Sequence, residues 1–290
     1  MKEKIVAIVV LMLVATTVAS ATNGLTVKEN NQPKTCSVNV PVYKVGDSWT
    51  YIYHETSYKY LKNNTRWYTL YHNCTMTYTV TAVSDTNYTW KWTSTKNEGQ
   101  AIYSKIRLKF TPFTKYSGED VYRKTDLACW SETGQEKGLA IWLMGGIGFP
   151  MPVQYLHVTK QVFKEPMVFL PFPLNSSTQG SLTWGPYTYK EKCTLDWGLI
   201  KLFDWPASNN TAGFCPYKIE MANVTVPAGT YNAYNVSIDV TYGNGHQHVW
   251  RYYSPEVGQQ VKLYSYTDWD NYGNPGTIVT EELVSTTYTP

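Results

Sequence analysis

Charge is what this sequence has least of. Asp, Glu, Lys and Arg make up 16% of its 290 residues, against about 25% in ordinary soluble domains. Basic and acidic residues nearly cancel, leaving a formal net charge of +3. So balanced a chain carries no electrostatic footprint for nucleic acid or an anionic bilayer. Cysteine is scarce too. The five residues, Cys36, Cys74, Cys129, Cys193 and Cys215, show no Cys-x-x-Cys spacing, which removes the usual structural zinc site. No Gly-x-Ser-x-Gly turn is present to carry a hydrolase serine. Gly145-Gly146-Ile147-Gly148 lacks the Lys and the following helix of a phosphate cradle. Amphipathic helical repeats are missing throughout, which leaves β structure as the framework.

What is present begins with an export signal. Lys2 and Lys4 precede an apolar run over residues 5–14, and Ala19-Ser20-Ala21 offers a small-x-small cleavage pattern. The run falls short of the roughly 20 residues that cross a bilayer, so residues 1–21 read as a signal peptide. The mature protein is therefore expected outside the cell or on its surface. Seven Asn-x-Ser/Thr sites, at Asn63, Asn73, Asn87, Asn175, Asn209, Asn223 and Asn235, mark it as a glycoprotein. Oxidised cysteines follow from that compartment. The expected bridges are Cys193–Cys215, closing a loop around Asn209, and Cys74–Cys129, with Cys36 left over.

Residues 22–41 are polar and irregular, a flexible leader to one β domain over 42–290. Trp49, Tyr51 and Tyr53 share a face at period two, which predicts a strand over 48–58. Over 74–81 every second residue is Thr and the alternate ones are apolar or sulfur-bearing, so one face meets a core and the other solvent. Further strands are expected over 88–94, 101–111 and 181–193. The C-terminal third holds the clearest series, at 224–226, 230–242, 246–253, 259–267 and 277–286. Each is bounded by Gly, Pro or Asn, as in an antiparallel meander. The fold class is thus all-β, mostly antiparallel, as a curved meander sheet or half-barrel; a β-sandwich is the alternative.

Residues 138–158 are the most apolar stretch of the mature chain, within an insertion expected over about 138–173. Its bland reading is core filling or a short buried helix; its sharper one is a lid that touches a ligand. Trp142, Leu143, Met144 and Phe149 would form that lid, with Trp250 and Tyr252 as a stacking face. Residues 197–205 read as a second aromatic insertion of about one helical turn. His246 and His248 fall on one face of a strand, a two-ligand geometry for a metal, but no third ligand is indicated. Asp268 to Gly273 begins like a calcium loop, yet Tyr272 and Val279 stand where ligands should be. Neither a metal nor a cofactor is expected. The adjacent acids Glu119-Asp120 and Glu281-Glu282 point to opposite faces of their strands, so neither pair is an acid/base couple by itself.

Val226-Pro227-Ala228-Gly229-Thr230-Tyr231, then Trp250-Arg251-Tyr252-Tyr253-Ser254-Pro255-Glu256-Val257-Gly258, then Glu282-Leu283-Val284-Ser285 resemble a family of exported prokaryotic proteins of unknown function. Val45-Gly46-Asp47-Ser48-Trp49-Thr50-Tyr51 matches the opening strand of that family. The resemblance covers about a third of the mature chain. It implies a sheet similar to the half-barrels of periplasmic lipoprotein carriers, with an apolar concave face and no catalytic residue. Residues 138–158 and 197–205 depart from it. The function expected is non-catalytic binding of a lipid, another apolar ligand or a cell-envelope partner. A self-associating structural or adhesive component is the second expectation and a secreted hydrolase the third.

Overall fold

A computed structural model describes residues 37–60, 66–103, 106–111, 113–144, 150–183, 186–196, 199–210, 214–242, 245–268 and 275–290. Residues 1–36, which include the expected signal peptide, most of the expected leader and Cys36, lie outside the described residues, as do Asn63, Phe149 and the calcium-like turn at 269–274. Period-two alternation builds almost everything else. Trp49, Tyr51 and Tyr53 turn inward from β1 (Ser48–Tyr60) and are fully buried. On β2 (Arg66–Val83), Cys74, Met76, Tyr78 and Val80 face in while the intervening threonines face out.

The chain then proceeds as an antiparallel meander through β3 (Asn87–Tyr103), β4 (Ile106–Phe110), β5 (Lys115–Arg123), β6 (Cys129–Met144) and β7 (Pro150–Met167). β4 and β5 are two halves of one broken strand, paired to opposite ends of β3 and β6. Thr111 and Thr114, at the break, both donate to the Leu139 carbonyl at 2.6 Å. The remaining strands are β8 (Gln179–Thr183), β9 (Tyr187–Leu195), β10 (Ile200–Asn210), β11 (Phe214–Val226), β12 (Gly229–Tyr242), β13 (Gly245–Ser254), β14 (Gln259–Asp268) and β15 (Pro275–Thr286).

All fifteen join one sheet, in the order β10-β9-β7-β6-β4-β3-β2-β1-β15-β14-β13-β12-β11-β8, with β5 beside β3 and β6. Two joints give it its shape. β1 pairs with β15, so the two series of strands meet in the middle of the sheet. β8 ends one edge beside β11, whereas β9 pairs with β7 near the other. Thr183 and Pro186 are three residues apart, so roughly 11 Å at most separates their Cα atoms. The two ends of the sheet must therefore approach each other, and the sheet curls into a partial ring around its inward side chains.

The predicted all-β, curved-meander class is the class observed. One sheet curled on itself replaces the sandwich alternative. The described part of residues 138–158 is neither an insertion nor a helix; it belongs to β6 and β7, paired Leu143↔Pro150 through Gly138↔Tyr155. Ala140, Val153 and Tyr155 turn inward into a second apolar cluster with Leu108, Phe110 and Leu195. Residues 200–205, read as helical, are strand β10 paired with β9.

The disulfides are corrected as well. Cys74, Cys129, Cys193 and Cys215 are buried thiols, none of them bridged. β3 and β5 lie between the strands of Cys74 and Cys129, and three strand spacings of about 4.8 Å exceed the reach of a disulfide. Cys193 packs in the second cluster and Cys215 in the first, larger one. Burial pushes the Cys215 thiol up to about 12, which keeps it unreactive. Dithiothreitol is expected to leave the thermal midpoint where it is. A drop matching the roughly 2–5 kcal/mol of a lost structural disulfide would restore the bridged reading.

Candidate functional site

The concave face is aromatic, but it is not simply apolar. Six carboxyl side chains stand at inward positions: Glu55 on β1, Asp120 on β5, Glu132 and Glu136 on β6, Glu191 on β9 and Glu281 on β15. All but Glu132 are almost fully buried. Such groups persist inside a protein only when hydrogen-bonded or protonated.

Two groups of them are structural pairs. Glu55 accepts from Tyr53 Oη at 2.8 Å and Ser57 Oγ at 2.7 Å. The His72 ring lies near it, 3.9 Å away through Nε2, and 3.4 Å from Glu136 through Nδ1. Tyr116 and Phe110 sandwich that ring at 5.0 and 5.5 Å. In the second group, Glu191 lies 2.7 Å from His157 Nε2 and accepts from Tyr189 Oη at 2.8 Å.

The third group opens on a cavity of about 60 Å³. Asp120 and Glu132 face each other in register across β5 and β6. Trp92 Nε1 donates to Asp120 Oδ1 at 3.1 Å. Glu281 accepts from Tyr78 Oη at 2.7 Å and from the Gln260 amide. Arg251 Nη1 in turn donates to Gln260 Oε1 at 2.8 Å, and its guanidinium lies 4.8 Å above the Phe169 ring. Gln260 is thus a neutral spacer between the arginine and Glu281. The apolar walls come from Trp90, Leu127, Phe169 and Leu170.

Burial sets the protonation of this group. It holds Asp120 well above the usual carboxylate range, with Glu132 beside it adding to the shift and the Trp92 and Tyr122 hydrogen bonds opposing it. Burial lifts Glu132 to about 7 against the pull of Arg251. Glu281 also rises to about 7 through burial, although Tyr78, Arg251 and Gln260 favour its charged form. Below neutrality, then, the site holds one formal positive charge and a set of protonated acids. Above it, the balance reverses.

The cover over this cavity is the crossing from β7 to β8, residues 168–178, and not residues 138–158. Phe169 and Leu170 are buried there, and the segment is tied down by a bridge between Val38 and Leu174. Of the proposed lid residues, Trp142 packs on the second cluster and Leu143 is exposed. Met144 ends β6, and Phe149 is outside the described residues. Trp250 is half-buried on β13, and Tyr252 packs, partly buried, against the larger apolar cluster. Trp250 joins His248, Tyr264 and Tyr266 in a cross-strand ring ladder with centroids 4.8–6.5 Å apart, a stabilising pattern for a sheet surface.

His246 and His248 have separate neighbours. His248 Nδ1 lies 2.6 Å from Asp239 and His246 Nδ1 lies 3.3 Å from Thr241 Oγ1. No cluster of three metal-ligating side chains occurs among the described residues. Of the glycosylation sequons, Asn223 is exposed, Asn73, Asn87, Asn175 and Asn235 are half-buried, and Asn209 lies on β10.

Sequence reasoning passed over Arg251, Glu132 and Gln260. The signal for Arg251 was there: it alternates with Val249 and Tyr253 on the inward face of β13, where a charge has to be explained. Asp120 and Glu281 are the inward members of the two adjacent acid pairs, and their partners Glu119 and Glu282 point outward. Neither pair is a couple by itself, yet the two inward acids come to the same site. Compared with protein-family models, with curated proteins and with solved structures, the chain has no match.

Proposed function

We propose that this chain is an exported, non-catalytic binding protein whose curled sheet holds a small amphipathic molecule. One observation carries the reading: buried polar groups converge on a cavity with aromatic and aliphatic walls, under a crossing segment that supplies Phe169 and Leu170. That combination is what small-molecule sites share. At about 60 Å³ the cavity suits a head group and not a whole ligand, since a drug-sized molecule fills several hundred Å³. The apolar body would lie beneath the crossing segment, which has to shift to admit it. Export is supported by residues 1–21 and the glycosylation sequons, and the lipoprotein-carrier resemblance agrees with an amphipathic ligand.

Native mass spectrometry of the mature protein tests this. An organic amphiphile bound near one per chain, released by solvent and depleted in Phe169→Asp, is the expected result. A chain that carries nothing and takes up no amphiphile on incubation would overturn it. A second reading, a secreted hydrolase, is favoured by the facing Asp120 and Glu132, whose raised proton affinities suit acid/base work. Turnover of a glycan panel, lost in both Asp120→Asn and Glu132→Gln, would establish it.

A further inference from the structure

The cavity wall contains two donors with nothing to donate to. Arg251 Nε and Trp90 Nε1 are both buried and lack a hydrogen-bond partner, and both residues line the cavity. Buried donors without acceptors are rare, and each costs on the order of 1–3 kcal/mol. The other donors around them are committed. Tyr51 Oη donates to the Gln260 carbonyl at 2.8 Å, Tyr78 Oη to Glu281 and Trp92 Nε1 to Asp120. What these two donors lack is an acceptor.

The charge count points the same way. No ion pair among the described residues involves Arg251. Its Nη1 hydrogen bond goes to the neutral amide of Gln260, so its charge is not cancelled by a direct carboxylate contact. We infer, on the binding reading above, that the head group held here is a carboxylate, seated against Arg251 and Trp90 in the cavity under Phe169. A guanidinium beside an aromatic wall is well suited to one oxyanion. A cationic head would bring more donors beside two that already lack an acceptor and would face a like charge.

The titratable groups facing Arg251 decide how this site responds to pH. They are Tyr51 from β1, Tyr78 from β2, Tyr122 from β5, Cys129 and Glu132 from β6 and Glu281 from β15, with Asp120 across the cavity. While the acids hold their protons, Arg251 is the only charge a carboxylate meets. As pH rises through about 7, Glu132 and Glu281 ionise and repel it. Affinity for a carboxylate therefore falls with rising pH.

Three probes of equal chain length separate the possibilities: dodecanoate, dodecylammonium and dodecanol, titrated calorimetrically into the full mature chain at pH 6 and pH 8. Dodecanoate is expected to bind about tenfold more tightly than dodecylammonium at pH 6, the scale of one charge-assisted hydrogen bond, and to weaken at pH 8. Arg251→Gln should remove the preference for dodecanoate over dodecylammonium, and Arg251→Lys should keep part of it. The wild-type comparison stands even if a variant misfolds. Tighter dodecylammonium binding, or equal binding of all three, overturns the carboxylate assignment alone. Binding of none of the three overturns the binding reading beneath it.

Discussion

Raising the pH from about 4.5 to 7 is expected to weaken this fold. Glu281 and Glu132 both have an ordinary value of 4.5 and rise to about 7 in the folded protein. A carboxyl whose folded value is raised binds its proton more tightly folded than unfolded. Its contribution is therefore complete below about 4.5 and is lost as pH climbs through about 7. A shift of that size is worth on the order of 3 kcal/mol for each group. For a chain of this length, each kcal/mol moves the midpoint by about 2–4 °C, so the two acids together should move it by more than 10 °C. Urea unfolding at pH 4.5, 6 and 7.5 measures it directly. The double variant Glu132→Gln, Glu281→Gln should flatten the profile, because an amide has no proton to lose. Stability that rises over the same interval would mean that these acids are ionised and paired in the folded state.

Gly118→Ala is expected to damage the fold severely although it adds only one methyl. Gly118 faces inward from β5 opposite Trp92 on β3 and Gly134 on β6. An added Cβ would sit 2.0 Å from the Thr133 carbonyl oxygen and 2.1 Å from Trp92 Cζ2. Neither is a flexible tip that can swing aside, so β5 must leave β6 or the indole must leave its slot. Overpacking of this kind costs about 3 kcal/mol or more. It also removes the Trp92 bond that orients Asp120. Gly134→Ala is the control. Its nearest contact is the Thr159 hydroxyl at 2.7 Å and the indole is 3.3 Å away, so a rotamer change absorbs much of the strain. Chemical denaturation of the two variants should show Gly118→Ala losing clearly more than Gly134→Ala. Equal losses would show that the indole does not lie against Gly118.

Much of the fold was legible because antiparallel strands with one buried face write themselves as alternation. The C-terminal series shows it best: strands read at 230–242, 246–253 and 259–267 occur as Gly229–Tyr242, Gly245–Ser254 and Gln259–Asp268. Turn chemistry at Pro227-Ala228-Gly229 and Ser254-Pro255-Glu256-Val257-Gly258 set those limits. Alternation fails where both faces of a strand are apolar. In residues 139–144 Leu, Ile and Leu face one way while Ala and Trp face the other, and a run of that kind looks the same in a buried helix. The cysteines misled for a different reason. Export favours oxidation, but a thiol filling a core position between strands needs no bridge. The site itself was hidden because its members come from β1, β2, β3, β5, β6, β13, β14 and β15. Only the closure of the sheet brings them together, and no local spacing encodes that.

The pairing of β1 with β15 has a consequence for biosynthesis. β1 leaves the ribosome early, and its second neighbour follows on the order of two hundred residues later, which is roughly ten to forty seconds of elongation. Until then the strand that carries Trp49, Tyr51 and Tyr53 has one side open to any passing extended segment. A nascent or prematurely terminated chain would expose that side indefinitely. A half-built sheet of this topology therefore carries an aggregation-prone edge until β15 arrives.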